Sequence, residues 1–284
     1  MQRYKILHRT YYNFSAEVRL LQHALRLRPR EGHELRIESS TLTISPNASI
    51  RWQRDMQDNS IAIASFESPV RQLSIESETI ILQFNENALD FMVADYALDF
   101  PFQYAADELV DLLPYITMAI PESRSMLTEL VGKVWQAGEG IQTTVLLQRL
   151  IVHINQSLSY AIREEPGIQT PMETLAKQSG SCRDFAYLFM EIMRSIGLAS
   201  RFVSGYLNAI TSSTDYGATH AWAEVYLPGV GWKGFDPTSG LIVGPNHIAV
   251  AVARLPDSVP PVSGAYIGSA QATLNVGVWV TKLA

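Results

Sequence analysis

The chain holds a single cysteine, Cys182, among 284 residues, so no disulfide can form within it. A basic excess is also missing, with 22 Lys and Arg against 28 Asp and Glu and a net charge of −6. That balance argues against nucleic acid or an anionic membrane as the main partner, because both need a basic surface. Only the stretch RLRPR, from Arg26 to Arg30, concentrates positive charge, and a solvated strand end is the preferred account of it. No apolar run has the length of a membrane-spanning helix. The longest charge-free stretch, between Asp257 and Lys282, is interrupted by Pro260, Pro261 and several glycines. The opening MQRYKILHRTYYNF lacks the apolar segment and small-residue cleavage site of a secretory signal. A cytoplasmic protein is therefore expected. Metal-ligand spacing is absent too. His8, His23, His33, His153 and His247 form no H-x-x-x-H pair, and the lone cysteine has no partner thiol. No metal and no cofactor are expected.

Against these absences stands a globular composition, 47% apolar and 18% charged, in a chain long enough for two cores. The first part alternates like strands. In VRQLSIESETIILQF, Leu73, Ile75 and Ser77 fall on one face and Ser74, Glu76 and Glu78 on the other. Turn residues at Pro29, Gly32, Pro46-Asn47 and Asp58-Asn59 separate such runs. Residues 1–95 are thus expected to form a β-rich, sandwich-like domain. Pro101, Pro114 and Pro121 punctuate a connecting region. Helical periodicity then places Leu127, Leu130, Val131 and Val134 on one face, and Leu146, Leu150, Ile154 and Leu158 on another. A third helix opens at or near Cys182, with Phe185, Phe189, Ile192, Met193 and Ile196 as its apolar face and Gly197 as its stop. Three strand-like segments follow: ASRFVSGYL, HAWAEVYL and GWKGFDPT. Residues 96–245 are expected to form the core, and 246–284 to add C-terminal strands of unassigned attachment. The fold class is α+β.

Three residues carry candidate chemistry. Cys182 follows Gly180-Ser181 at a helix start, where unpaired N–H groups and a partial positive charge favour thiolate, the nucleophilic form. A buried structural cysteine is the plain alternative. On a strand, His220, Trp222, Glu224 and Tyr226 share one face, and the small apolar Ala221, Ala223, Val225 and Leu227 share the other. The first set suits a cleft, with Trp222 and Glu224 as lining residues; Asp215 and Tyr216 are further candidates from the preceding loop. His220 and Asp236 are equidistant from Pro228, so a hairpin centred there sets them directly opposite each other. Taken singly, His220 reads as a surface histidine and Asp236 as a turn aspartate before Pro237. Together they read as the base and orienting acid of a thiol nucleophile. The Cys182 backbone N–H would hold an oxyanion, with Tyr160 as a candidate second donor or else a core tyrosine.

The segments GSCRDFAYLFMEIMRSIGLASRFVSGYL, THAWAEVYLPGVGW and GFDPTSG, in that order, resemble the core of the transglutaminase-like superfamily. YKILHRTYYNFSAEVRLLQHALRLRPR resembles the β-rich N-terminal domain of bacterial proteins of that type, often named as cysteine proteases. The resemblance implies a papain-like core with the nucleophile helix packed on an antiparallel sheet, and Cys182, His220 and Asp236 as nucleophile, base and acid. Arg183 stands where cross-linking transglutaminases tend to carry an aromatic residue, and no acidic loop offers the roughly six to eight oxygens that calcium takes. Hydrolysis of amide or peptide bonds is therefore expected over acyl transfer to amines. A non-catalytic binding module on the same fold is the alternative from another class. The expected partner is a peptide, protein or small-amide substrate.

Overall fold

The computed structural model describes residues 1–84, 86–163, 165, 167–208 and 219–283. Its first strand, Gln2–Leu20, alternates inward Tyr4, Ile6, His8 and Thr10 with outward polar residues. It pairs antiparallel with Val70–Gln83 on one side and with Ala272–Leu283 on the other. Leu35–Ser45 adds beyond Val70–Gln83. The expected alternation holds: Leu73, Ile75 and Ser77 are buried, while Glu76 and Glu78 face outward and pair with Arg9 and Lys5 across the ladder. A second sheet, of Ser49–Arg54, Ser60–Ser65, His23–Leu25 and Val262–Ser263, closes over it. Phe14, Val18, Leu25, Ala62, Ala64, Leu73 and Ile75 fill the space between the two sheets.

Among the described residues, five α-helices follow: α1 (Ala106–Ile116), α2 (Arg124–Gly132), α3 (Thr143–Ser157), α4 (Pro171–Lys177) and α5 (Cys182–Ser195). α1 occupies what the sequence marks only as a proline-punctuated connection. Pro114 is accommodated because it lies in the last turn, where its missing N–H forfeits a single intrahelical bond. α5 ends as expected at Gly197, whose φ of 87° lets the Leu198 N–H turn back to the Met193 carbonyl.

The core sheet is antiparallel throughout, in the order Leu241–Ile242, Gly231–Asp236, Thr219–Leu227, Ser200–Leu207, His247–Ala253. Its two faces are covered by different parts of the chain. Ala221, Ala223, Val225 and Leu227 are small enough to let α5 lie close, and they join Phe185, Phe189, Leu146, Leu150 and Ile154 in the largest apolar cluster. On the opposite face, Tyr206, Ile248 and Val250 pack against Tyr4, Ile6, Leu35, Ile81 and Val278 of the first sheet. Polar contacts reinforce this seam. The Asn59 side chain donates to the Val252 carbonyl and accepts its N–H, both at 2.8 Å, in the manner of a neighbouring strand.

The C-terminal strands part company. His247–Ala253 is the edge strand of the core sheet, whereas the pairs beyond it, at 262–263, 266–267 and 272–283, join the N-terminal sheets. Among the described residues, no helix is long and apolar enough to cross a membrane.

Candidate active site

Cys182 is the first residue of α5 and is nearly buried, at 8% exposure. The turn that delivers it is built around Asp184. This fully buried carboxylate accepts the Ser181 N–H and hydroxyl at 2.8 Å, the Gln169 N–H at 2.8 Å and Arg163 Nη1 at 2.8 and 3.0 Å. Burial opposes its charge, but these donors hold its carboxyl below the usual range. A side chain at position 180 would place a Cβ 2.9 Å from that of Asp184, so the approach requires Gly180. The Cys182 N–H sits among the first-turn donors that intrahelical pairing leaves free.

The hairpin that carries His220 and Asp236 differs in register from the expected one. The observed partners are Tyr226 with Trp232, Glu224 with Gly234 and Ala223 with Phe235, two positions off a centre at Pro228. The turn decides this. Pro228 and Gly229 occupy its corners, Gly229 at a φ of 83°, and the Val230 N–H closes on the Leu227 carbonyl at 3.0 Å, leaving Gly231 to face Leu227. A shift of two preserves side-chain parity, so His220 and Asp236 stay on one face as diagonal rather than direct neighbours. The imidazole spans the difference: His220 Nε2 lies 2.9 Å from Asp236 Oδ2. The same ring borders one cleft with Cys182, close enough for the cysteine to help raise the ring's pKa. The three residues singled out from the sequence therefore converge.

Asp236 is both a turn aspartate and a buried charge. Its Oδ1 accepts the Thr238 N–H at 2.9 Å and the Ser239 N–H at 3.4 Å, fixing the turn after Pro237. Its Oδ2 accepts the Ser239 hydroxyl at 2.8 Å, His220 at 2.9 Å and His247 Nε2 at 3.2 Å. Burial opposes ionisation, yet the two histidine donors hold this carboxyl far below the usual carboxylate range. For His220, burial alone would favour the neutral ring, but its bond to Asp236 and the nearness of Cys182 raise its pKa from 6.5 to about 10.

A cleft of about 320 Å³ opens at Cys182 and His220. Tyr160, Ile162, Ile168, Phe202, Val259 and Pro260 supply its apolar walls, and Arg163, Arg183 and Asp257 its charges. Tyr160 is half exposed there rather than part of a core, and its ring meets Phe185 edge-on at 6.5 Å. Trp222 and Glu224 do not line this cleft, contrary to expectation. Their strand face is turned toward the N-terminal sheets, where they border a separate hollow of about 210 Å³ with Arg30, Trp232 and His247. Trp222 is buried between Val203 and Val252, and Glu224 is bound to Arg201 at 2.6 Å. His220 escapes the same fate because it sits at the strand's first turn of pleat, one residue in from its end. Asp215 and Tyr216 lie outside the described residues.

Sequence reasoning missed His247, which lies far along the tail with no motif around it, and Asp184, for which the Ser181-x-x-Asp184 spacing of a helix cap was a usable signal. His220, Asp236 and His247 bring three ligand-type atoms within 4.8 Å of one another. Both ring nitrogens, however, aim at a single carboxylate oxygen at hydrogen-bond lengths, so the set is satisfied internally.

A thiol at the start of a helix, laid on an antiparallel sheet that supplies a hydrogen-bonded His and Asp, defines a papain-like α+β protein. Residues 139–237 match the model of the transglutaminase-like superfamily, and residues 4–81 that of the bacterial transglutaminase-like N-terminal region. The chain thus carries a transglutaminase-like core behind a bacterial transglutaminase-like N-terminal region. An uncharacterized Mycobacterium leprae protein is 36% identical over 117 residues, a match spanning 40% of this chain and 41% of that relative's length. A Mycobacterium bovis protein is 29% identical over 300 residues, covering 97% of this chain and 91% of its own. Among solved structures, the "putative cysteine protease" of Cytophaga hutchinsonii shares the fold, with a TM-score of 0.76 at 16% identity over 100% of this chain and 91% of that one.

Proposed function

We propose that the chain is a cysteine-dependent hydrolase of amide or peptide bonds that works through a thioester on Cys182. The observation that carries this reading is the His220 ring, bonded to Asp236 at 2.9 Å and facing the same cleft as the Cys182 thiol. Cys182 gives its thiol proton to His220 and reacts as the thiolate. The sulfur attacks the carbonyl carbon, and the oxyanion is held by the Cys182 N–H. Tyr160, whose raised pKa keeps its hydroxyl a donor, borders the same cleft and is the second donor in this reading. The C–N bond breaks as His220 gives its proton to the leaving amine, leaving the thioester and a neutral ring. Water then attacks, passing one proton to His220. The C–S bond breaks, the acid departs, and the thiolate–imidazolium pair is restored. Asp236 holds the ring's orientation and balances its charge throughout.

The apolar walls of the cleft favour a peptide or a small amide as substrate, and the net charge of −6 disfavours nucleic acid and anionic membranes. The lone thiol suits the reducing cytoplasm, which cell fractionation checks.

p-Nitrophenyl acetate serves as a substrate-independent acyl donor. Acid-quenched wild-type protein should carry one acetyl group, on Cys182. Cys182→Ala should carry none, and His220→Ala should acylate far more slowly. Equal acylation of wild type and His220→Ala would falsify the ion pair. Full biological function in Cys182→Ala would assign the fold to binding instead. Adding a primary amine during turnover separates the chemistries, since product formed only with the amine overturns hydrolysis.

A further inference from the structure

We infer that His247 is a positioning residue for the same site, a second imidazole that shares the Asp236 carboxylate with His220; this rests on the hydrolase reading above. The geometry is specific. His247 Nε2 lies 3.2 Å from Asp236 Oδ2, the oxygen that also takes His220, and His247 is 6% exposed in its side chain. Its other nitrogen, Nδ1, faces the Gly244 N–H at 3.5 Å, which leaves the proton on Nε2. The indole of Trp222 wedges against both rings, meeting His247 edge-on at 5.2 Å and His220 at 6.1 Å, while the two imidazoles lie 6.1 Å from each other and share the carboxylate.

Gly205 makes that wedge possible. A Cβ at this position would lie 2.5 Å from Trp222 Cη2 and 2.4 Å from the Ile248 carbonyl. Three strands are thereby committed to one oxygen: Thr219–Leu227 through His220, Gly231–Asp236 through the carboxylate itself, and the edge strand His247–Ala253 through its first residue.

The consequence is chemical. An N–H donor at His247 Nε2 drains negative charge from Oδ2, so Asp236 grips the His220 proton less tightly than a carboxylate with one imidazole would. His220 is then free to release that proton to a leaving amine. The groups facing His220 are Asp236, Cys182 and His247, with Tyr160, Arg163, Arg183 and Asp257 around the cleft. Those lining the hollow behind with His247 are Arg30, Glu31, His33, Glu34, Glu224 and Lys233. None of these lies between His247 and the carboxylate.

The test is the pH profile of Cys182 alkylation by iodoacetamide, which needs no natural substrate. It compares wild type, His247→Phe, His247→Gln and His220→Ala, with thermal melts of each. In His247→Phe, the alkaline step of the profile should move upward by at least about half a pH unit, and acetyl turnover should fall about tenfold, the worth of one charge-assisted hydrogen bond. His247→Gln, which keeps an N–H donor, should return both toward wild type. An unmoved step in a folded His247→Phe, or equal defects in Phe and Gln variants, overturns the positioning role. Identical profiles for wild type and His220→Ala overturn the hydrolase reading instead, so the two failures are distinct. Should His247→Phe not fold, imidazole ¹⁵N spectra of the wild-type protein decide. A protonated Nε2 and a bare Nδ1 on His247 between pH 6 and 8 are expected, and the opposite tautomer overturns the inference.

Discussion

Replacing Gly205 by alanine sets two effects against each other, and the structure says which wins. Removing a glycine from a strand interior reduces the entropy lost on folding and by itself stabilises by roughly 0.5–1 kcal/mol. Here the new Cβ would stand 2.4 Å from a backbone oxygen, that of Ile248 on the adjoining strand, and 2.5 and 2.8 Å from the Trp222 indole. Neither neighbour yields easily, since one is held in the sheet ladder and the other is 1% exposed among Val203 and Val252. Overpacking of this kind costs about 1–3 kcal/mol, so a net loss of about 1–2 kcal/mol is expected. Gly132→Ala, in the last turn of α2 with nothing within 4 Å of its would-be Cβ, carries only the favourable effect and should gain up to about 1 kcal/mol. Urea unfolding of both variants measures the opposite signs. Because Trp222 touches both imidazoles, Gly205→Ala should also slow Cys182 alkylation at neutral pH, whereas Gly132→Ala should not. A Gly205→Ala protein as stable as wild type, or one that loses stability with alkylation unchanged, refutes the wedge.

Stability should fall with alkalinity through His220: its folded pKa of about 10 lies above the 6.5 of the free side chain, so its contribution is complete below about pH 6.5 and disappears as pH rises through about 10. Urea midpoints at pH 6 and 9.5 should show this decline, and Asp236→Asn should flatten it. Glu191→Ala should cost about 3–5 kcal/mol, because Arg194 and Glu191 are both fully buried at 2.7 Å and the arginine would be left without a counter-charge; a loss under about 1 kcal/mol in denaturant melts would contradict this. Asp184→Ala should destabilise by at least about 2 kcal/mol through the unsatisfied Ser181 and Gln169 N–H groups. It should also slow alkylation of Cys182, read by mass spectrometry over time, since the helix start is no longer pinned.

Much of this architecture is legible in the residues themselves. Period-two burial in Val70–Gln83 and the helical spacing of Phe185, Phe189 and Ile192 in α5 are local signals, and a chain that must hide Leu73 and Ile75, or Phe185 and Phe189, has few choices of conformation. His220 and Asp236 could be paired from sequence because parity survives an error of two in register. The same parity argument failed for Trp222 and Glu224. It assumed that the face opposite the helix meets solvent, and here the N-terminal sheets cover that face. Such cover depends on contacts between segments more than a hundred residues apart, which no local pattern encodes. His247 is invisible for the same reason, since its meaning arises only where the edge strand meets the carboxylate.

The strand Ala272–Leu283 lies beside Gln2–Leu20 for nearly its whole length, with Leu283 opposite Arg3. Synthesis on the ribosome makes the first of these long before the second. The first strand must therefore wait, one edge bare, until residues 272–283 emerge. Removal of residues 272–283 would expose an unpaired edge ready to recruit strands from other chains, so it should show itself first as clumping rather than as lost catalysis.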